Sequence, residues 1–179
     1  ITVAGNNFNV CNYGLFIDGD SDNSIVAGNN FNGNIYDGIY LYSSLSHSAV
    51  TGNICNENGF GMFLHTLSNC TVIGNTCNGN TDGIELHTVS DSTVAGNTCN
   101  GNSHSGVKIT DLENSTVTGN TCNENAWYGI NVASFSNSAV TGNICNGNTN
   151  MCGDCVWVVA VSTVAGNTCN GNTGNGMFL

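Results

Sequence analysis

A Gly-Asn pair returns along this chain at Gly5, Gly28, Gly52, Gly74, Gly96, Gly119, Gly142 and Gly166, in steps of 23, 24, 22, 22, 23, 23 and 24 residues. A unit of this size is too small to bury a core by itself and has to stack on its neighbours. Eight units fill residues 1–179, so the chain reads as one repeat domain with no linker.

The unit "CTVIGNTCNGNTDGIELHTVSD" (Cys70–Asp91) holds three short segments. "TVIG" and "NTCN" alternate around Val72 and Cys77. "GIELH" alternates Ile84 and Leu86 against Glu85 and His87. Period-2 alternation in such short runs means strands, and the Gly, Asn, Ser and Asp between them mean turns. Three short strands per 22–24 residues predict an all-β parallel β-helix of about eight coils.

Stacking the coils aligns Val3, Val26, Val50, Val72, Val94, Val117, Val140 and Val164 in one inward file. Two more files run from Leu15 and Ile39 to Met177, and from Ile17 and Leu41 to Leu179. Cys55, Cys77, Cys99, Cys122, Cys145 and Cys169 form a core cysteine ladder, with Phe8 and Phe31 in that place in the first two coils. Its neighbouring Cα atoms would stand about 4.8 Å apart, a spacing open to disulfides or to thiols packed as small hydrophobes. Asn6, Asn29, Asn53, Asn75, Asn97, Asn120, Asn143 and Asn167 form an asparagine ladder that can hydrogen-bond along the stack, and Asn9 begins a second one. These Asn residues and the Gly before them suit the left-handed turns of coil corners.

Units such as "NSTVTGNTCNENAWYGINVASFSN" (Asn114–Asn137) resemble the PbH1-type, or NosD-like, right-handed parallel β-helix repeats, whose unit reads roughly N-x-I-x-x-N-x-I-x-x-N-x-x-G-I-x-L. The resemblance covers the whole chain, with Cys where that family usually has Ile. It implies a right-handed solenoid, and the Cys-rich, Lys-poor composition resembles archaeal surface proteins such as a methanogen sheath component.

Four cysteines lie outside the ladder. Cys11 and Cys70 are expected near the surface, and Cys152 and Cys155 form a C-x-x-C in the seventh coil. All four are candidates for surface or intermolecular disulfides. A second C-x-x-C, which a Cys₄ zinc site needs, is absent, and no metal or other cofactor is expected. Ten Cys and a single Lys fit an extracellular, disulfide-permissive setting.

On the third strand Glu85 and Lys108 should stack on adjacent coils beside His65 and His87, which reads as a solvated ion pair rather than a catalytic centre. β-Helix enzymes that act on polyuronates need basic groups to hold an acidic polymer. This chain has 12 acidic residues, one Lys, no Arg and a net charge of −11. The same charge excludes nucleic acid as a partner. "DGDSDN" (Asp18–Asn23) reads as an acidic turn rather than a calcium loop, since an EF-hand's twelfth position would be Asn29. Asn69 and Asn114 are glycosylation acceptors if the chain is secreted. No stretch is long and apolar enough to span a membrane.

The outward file of the third strand is aromatic at both ends: Phe16, Tyr40, Phe63, then Trp157 and Phe178, with Tyr42 beside Tyr40. Adjacent exposed aromatics signal contact, so these six are a candidate lateral interface. The first and last residues already read as strand, with no cap. Charged residues make up only 7% of the chain, and part of the surface therefore reads as covered. These features lead to a non-enzymatic, self-assembling structural protein of a cell surface, with itself as partner in a sheath, fibre or layer. The alternative is an adhesin or glycan-binding module, with ice binding and polysaccharide-active enzymes ranked below.

Overall fold

The computed structural model describes residues 1–149, 156–158 and 163–178. Every described strand belongs to one of two parallel eight-stranded sheets. The first sheet is built of the strands Thr2–Ala4, Ile25–Ala27, Ala49–Thr51, Thr71–Ile73, Thr93–Ala95, Thr116–Thr118, Ala139–Thr141 and Thr163–Ala165. The second takes Leu15–Ile17, Asp37–Ser46, Phe60–Ser68, Ile84–Ser90, Val107–Glu113, Ile130–Ser136, Val156–Val158 and Met177–Phe178. Each coil adds one strand to each sheet, so like residues fall in register: Val72 pairs with Val94, and Leu64 with Leu86. Among the described residues there is no helix, hence none long and apolar enough to cross a membrane.

The middle segment of each coil is shorter than the sequence pattern predicts. It is reduced to one bridging residue per coil, running through Asn7, Asn30, Ile54, Thr76, Thr98, Thr121, Ile144 and Thr168. Corners close it off on both sides. The preceding Gly, such as Gly74 at φ +67°, is left-handed, and so is the following Gly79 at +68°. The ladder asparagines are not themselves left-handed. That role falls to the glycines, to Val10, Glu57 and Glu124 at the second corner and, at the third corner, to Asn23, His47, Asn69, Asp91, Asn114 and Asn137.

Asparagine amides hold these corners. In the first ladder each side-chain oxygen from Asn29 onward accepts two bonds from the previous coil. Asn97 Oδ1 takes the backbone N–H of Asn75 at 2.9 Å and its Nδ2 at 3.0 Å. Its own Nδ2 donates to Val72 O and to Asn120 Oδ1, both at 2.9 Å. The ladder from Asn9 runs in the opposite sense: Asn123 N donates back to Asn100 Oδ1 at 2.8 Å. A third ladder occupies the next corner, with Asn80 N donating to Asn102 Oδ1 at 2.9 Å.

The three apolar files and the cysteine file fill the core, and Cys55, Cys77, Cys99, Cys122 and Cys145 are completely buried. These five are free thiols. Burial and the neighbouring Cys55 thiol push the Cys77 thiol well above its usual range. Hydrogen bonding with Cys122, with burial second, does the same to Cys145. Cys77 and Cys145 therefore stay protonated, and all five side chains pack as small hydrophobes. A fourth apolar file was not legible in the pattern. The second-sheet strands run on beyond the third apolar file and bring Leu45, Leu67, Val89, Leu112 and Phe135 into the core, with a register shift between Leu41 and Ser44 in the longest of them.

Cys70 does not lie near the surface: it is 3% exposed. It stands in an inward serine file with Ser24, Ser48, Ser92, Ser115 and Ser138, whose hydroxyls accept the N–H of the previous coil, as Ser92 does from Cys70 at 2.9 Å. Its Sγ lies 3.3 Å from both Leu45 O and Ser68 O. Burial places it out of reach of an intermolecular disulfide. Cys11 is exposed and free. Cys152 and Cys155 lie outside the described residues.

Candidate functional site

The second sheet and the turn that enters it form the face where chemistry gathers. Outward side chains of successive coils stand about 4.8 Å apart, close to the stacking distance of aromatic rings. Phe16, Tyr40 and Phe63 stack along the axis, with centroids 5.2 and 5.1 Å apart and planes within 15° of parallel. Tyr42 lies against Tyr40 at 5.9 Å, and the row continues sideways through His65 to His87. Of Trp157 and Phe178 only the backbone is described, and it continues the same register file.

A second row, unanticipated from the sequence, comes from the turn before each strand. Tyr13 sits 5.0 Å from Tyr36 and 5.6 Å from Tyr40, and Phe60 meets Phe63 edge-on at 6.4 Å. Between the two rows is a cavity of about 300 Å³ lined by Tyr13, Ile35, Tyr36, Asp37, Tyr40, Gly59, Phe60 and Phe63. That volume is at the lower end for small-ligand sites. Tyr36 and Phe16 are about half exposed, so ring surface also faces solvent.

Three carboxyls are buried along this face: Asp37, Asp82 and Glu85. Glu85 accepts from Lys108 Nζ at 2.8 Å, and His87 Nε2 lies 3.4 Å away without hydrogen-bond geometry. The expected Glu85–Lys108 stacking is present, but Glu85 is 7% exposed and the pair is not the solvated one anticipated. Asp82 contacts His104 Nδ1 at 2.8 Å and accepts from Ser105 N at 2.7 Å. His104 in turn packs on Trp127 at 4.5 Å. Asp37 receives one long bond, from Phe60 N at 3.3 Å. Desolvation, with Glu85's charge adding to it, raises the Asp37 carboxyl from 3.8 to about 6.

Neither aspartate was singled out beforehand, because "YDGI" and "TDGI" read as turns. The signal was in the columns: Asp37 and Asp82 occupy the place of Tyr13, Phe60, Ser105 and Tyr128, next to a Gly that recurs in every coil but the seventh. The other sequence-predicted positions are scattered. Asp18, Asp20 and Asp22 are exposed, with Asp22 accepting from Ser46 Oγ. Among the described residues no group of three or more ligands converges on a metal position. Asn69 and Asn114 are exposed at the left-handed corner after the second-sheet strand.

Asp37 gives stability a pH dependence. Its folded-state value lies above the ordinary one, so the native state holds the extra proton between about pH 4 and about 6. Stability therefore falls as pH rises through that window and levels off above it. Asp37→Asn should remove the fall, leaving the variant about 2 kcal/mol more stable than wild type near neutrality and equal to it near pH 4. Denaturant melts across that range check this, and parallel curves for the two proteins would contradict it.

These observations define a parallel β-solenoid with an aromatic, acid-floored face. The family described as a right-handed β-helix region matches residues 1–144 and again residues 82–179, and the chain belongs to it. No curated protein matches the sequence at a significant level. Among solved structures, the surface adhesin PfbA of Streptococcus pneumoniae is similar in fold, with a TM-score of 0.50 at 14% identity. The match covers 88% of this chain but only 38% of that one.

Proposed function

We propose that this chain is a non-enzymatic binding module of a cell-surface protein, holding carbohydrate against the aromatic face of its second sheet. The observation that carries the reading is the cavity between the two aromatic rows. A patch meant only for flat packing against another subunit has no need of a recess with a carboxyl at its floor. Aromatic rings offer sugar rings apolar contact, and a few polar groups fix orientation. The adhesin with a similar fold adds weight to a surface setting. The buried carboxyls beyond the cavity are tied up by Lys108 and His104, which favours binding over catalysis.

Retention on immobilised cellulose, chitin, deacetylated chitin and polyuronate tests the reading. Wild type should be retained on at least one neutral or amino-sugar polymer. Tyr40→Ala removes the ring that touches both rows, and should weaken binding about thirtyfold, or about 2 kcal/mol, while melting near wild type. Failure to bind any of the polymers, or equal binding by the variant, would sink it.

Self-assembly is the second reading, and the exposed free thiol of Cys11 favours it. Mild oxidation should then give covalent dimers that Cys11→Ser cannot form. A monomeric wild type under oxidant would remove disulfides through Cys11 from the account.

A further inference from the structure

The three buried carboxyls of the aromatic face differ in one respect. Asp82 has His104 against it, and Glu85 has both Lys108 and His87. Lys108 is the only lysine in the sequence, arginine is absent, and no ion pair among the described residues reaches Asp37. A buried carboxylate without a cation is costly, and folding would favour a neutral residue there unless something supplies the missing charge. Asp37 shares the lining of the cavity of about 300 Å³ with five aromatic residues, Tyr13, Tyr36, Tyr40, Phe60 and Phe63.

Rings around a carboxylate make a particular kind of site. Ring faces carry negative potential and attract organic cations, and the carboxylate adds a full charge at the floor. A metal ion would have to give up water for ring carbons and one carboxyl, whereas a quaternary ammonium has little hydration to lose and a sugar-borne ammonium brings N–H donors for the carboxylate and an apolar ring face for the aromatics. The chain's net charge of −11 also draws cations toward the face.

We infer that the Asp37 cavity is an organic-ammonium site, taking either the protonated amine of an amino sugar or a quaternary trimethylammonium group. This deepens the carbohydrate-binding reading and rests on it only for the amino-sugar source. Bound cation favours the ionised carboxyl, so affinity for a permanently charged ligand should drop as pH falls from about 7 to about 5. The other titratable groups facing Asp37 are the phenols of Tyr13, Tyr36 and Tyr40, with Glu85 acting from farther along the face.

The test is calorimetric titration of the full chain with three probes: choline, a glucosamine oligomer, and the N-acetylglucosamine oligomer of the same length. Binding of choline or of the glucosamine oligomer, at least tenfold tighter than the acetylated one and lost at least tenfold in Asp37→Asn, is the expected result. Choline binding alone assigns the quaternary source, and glucosamine preference alone the amino-sugar source; either supports the inference. Equal binding of the two oligomers, unaffected by Asp37→Asn, overturns it while leaving carbohydrate binding standing. Binding of none of the three overturns it as well, and the polymer retention experiment then decides the broader reading separately. Since Asp37→Asn is expected to be more stable than wild type, its loss of binding would not reflect unfolding. Tyr40→Leu, which keeps bulk but removes the ring, should lose choline to a similar degree.

Discussion

Replacing Asn97 by Ala should lower stability by about 3–5 kcal/mol, among the largest effects available to a single corner residue. Four hydrogen bonds converge on this buried amide, and each joins groups that have no other route to water. Truncation takes the side-chain acceptor from Asn75 N and the amide donor from Val72 O, and leaves Asn75 Nδ2 only its bond to Val50 O. Each unsatisfied buried group costs about 1–3 kcal/mol, and partial relaxation keeps the total below the simple sum. In a chain of this length that is a fall in Tm of about 10 °C. Asn97→Asp keeps the shape but turns an oxygen toward Val72 O and Asn120 Oδ1, and should do no better than Ala. The control is Asn100→Ala in the opposite-running ladder. Its amide is only half-buried, so water replaces the lost bond and the cost should stay near 1 kcal/mol. Thermal melts of the three variants check the ranking, and equal losses at positions 97 and 100 would contradict it.

Gly83→Ala should cost about 3 kcal/mol, for a reason unconnected with backbone conformation. A Cβ at Gly83 would sit 2.5 Å from Gly106 O, 2.9 Å from the Cys99 Cβ and 3.0 Å from Asn102 Nδ2. Two of these belong to backbone or rigid core, so the strand would have to move against the next coil. Gly61 and Gly106 meet the same wall, each with a cysteine Cβ within 2.9 Å. The cysteine file and this glycine file are therefore one packing unit: the small thiol fills the space that the missing methyl leaves. Gly96 is the contrast. Its φ of +61° favours glycine, but nothing lies within 4 Å of an added Cβ. Gly96→Ala should cost about 1 kcal/mol. Urea melts of the pair separate steric exclusion from conformational preference, and a larger loss at Gly96 would reverse the argument.

Most of the solenoid was legible because its signal repeats. Val72 is an ordinary strand valine in isolation, but its column of eight fixes coil length, register and inward side together. The same logic placed the Cys99 and Asn97 files. What escaped was whatever occurs once or twice in a column. Asp37 and Asp82 looked like turn residues because Asp-Gly is a turn signal, and only the structure shows both carboxyls buried, Asp37 in the lining of the aromatic cavity and Asp82 against His104. Cys70 was misplaced because one thiol in a serine file carries no period of its own. The file from Leu45 to Phe135 was missed because the strands continue beyond a bend, where alternation loses its phase. The aromatic face was half visible: Phe16, Tyr40 and Phe63 share a column, whereas Tyr13, Tyr36 and Phe60 come from a turn whose spacing varies by one residue. The cavity between those rows could not be read from either row alone.

The central claim is that the recess between the two aromatic rows holds the ligand. Proton–carbon correlation spectra of the aromatic rings, recorded while titrating the glucosamine oligomer, address it most directly. The account predicts that shifts concentrate on Tyr13, Tyr36, Tyr40, Phe60 and Phe63, leave Trp127 and Phe135 unmoved, and vanish in Tyr40→Ala. Shifts centred elsewhere, or saturation with the five cavity rings unperturbed, would contradict it.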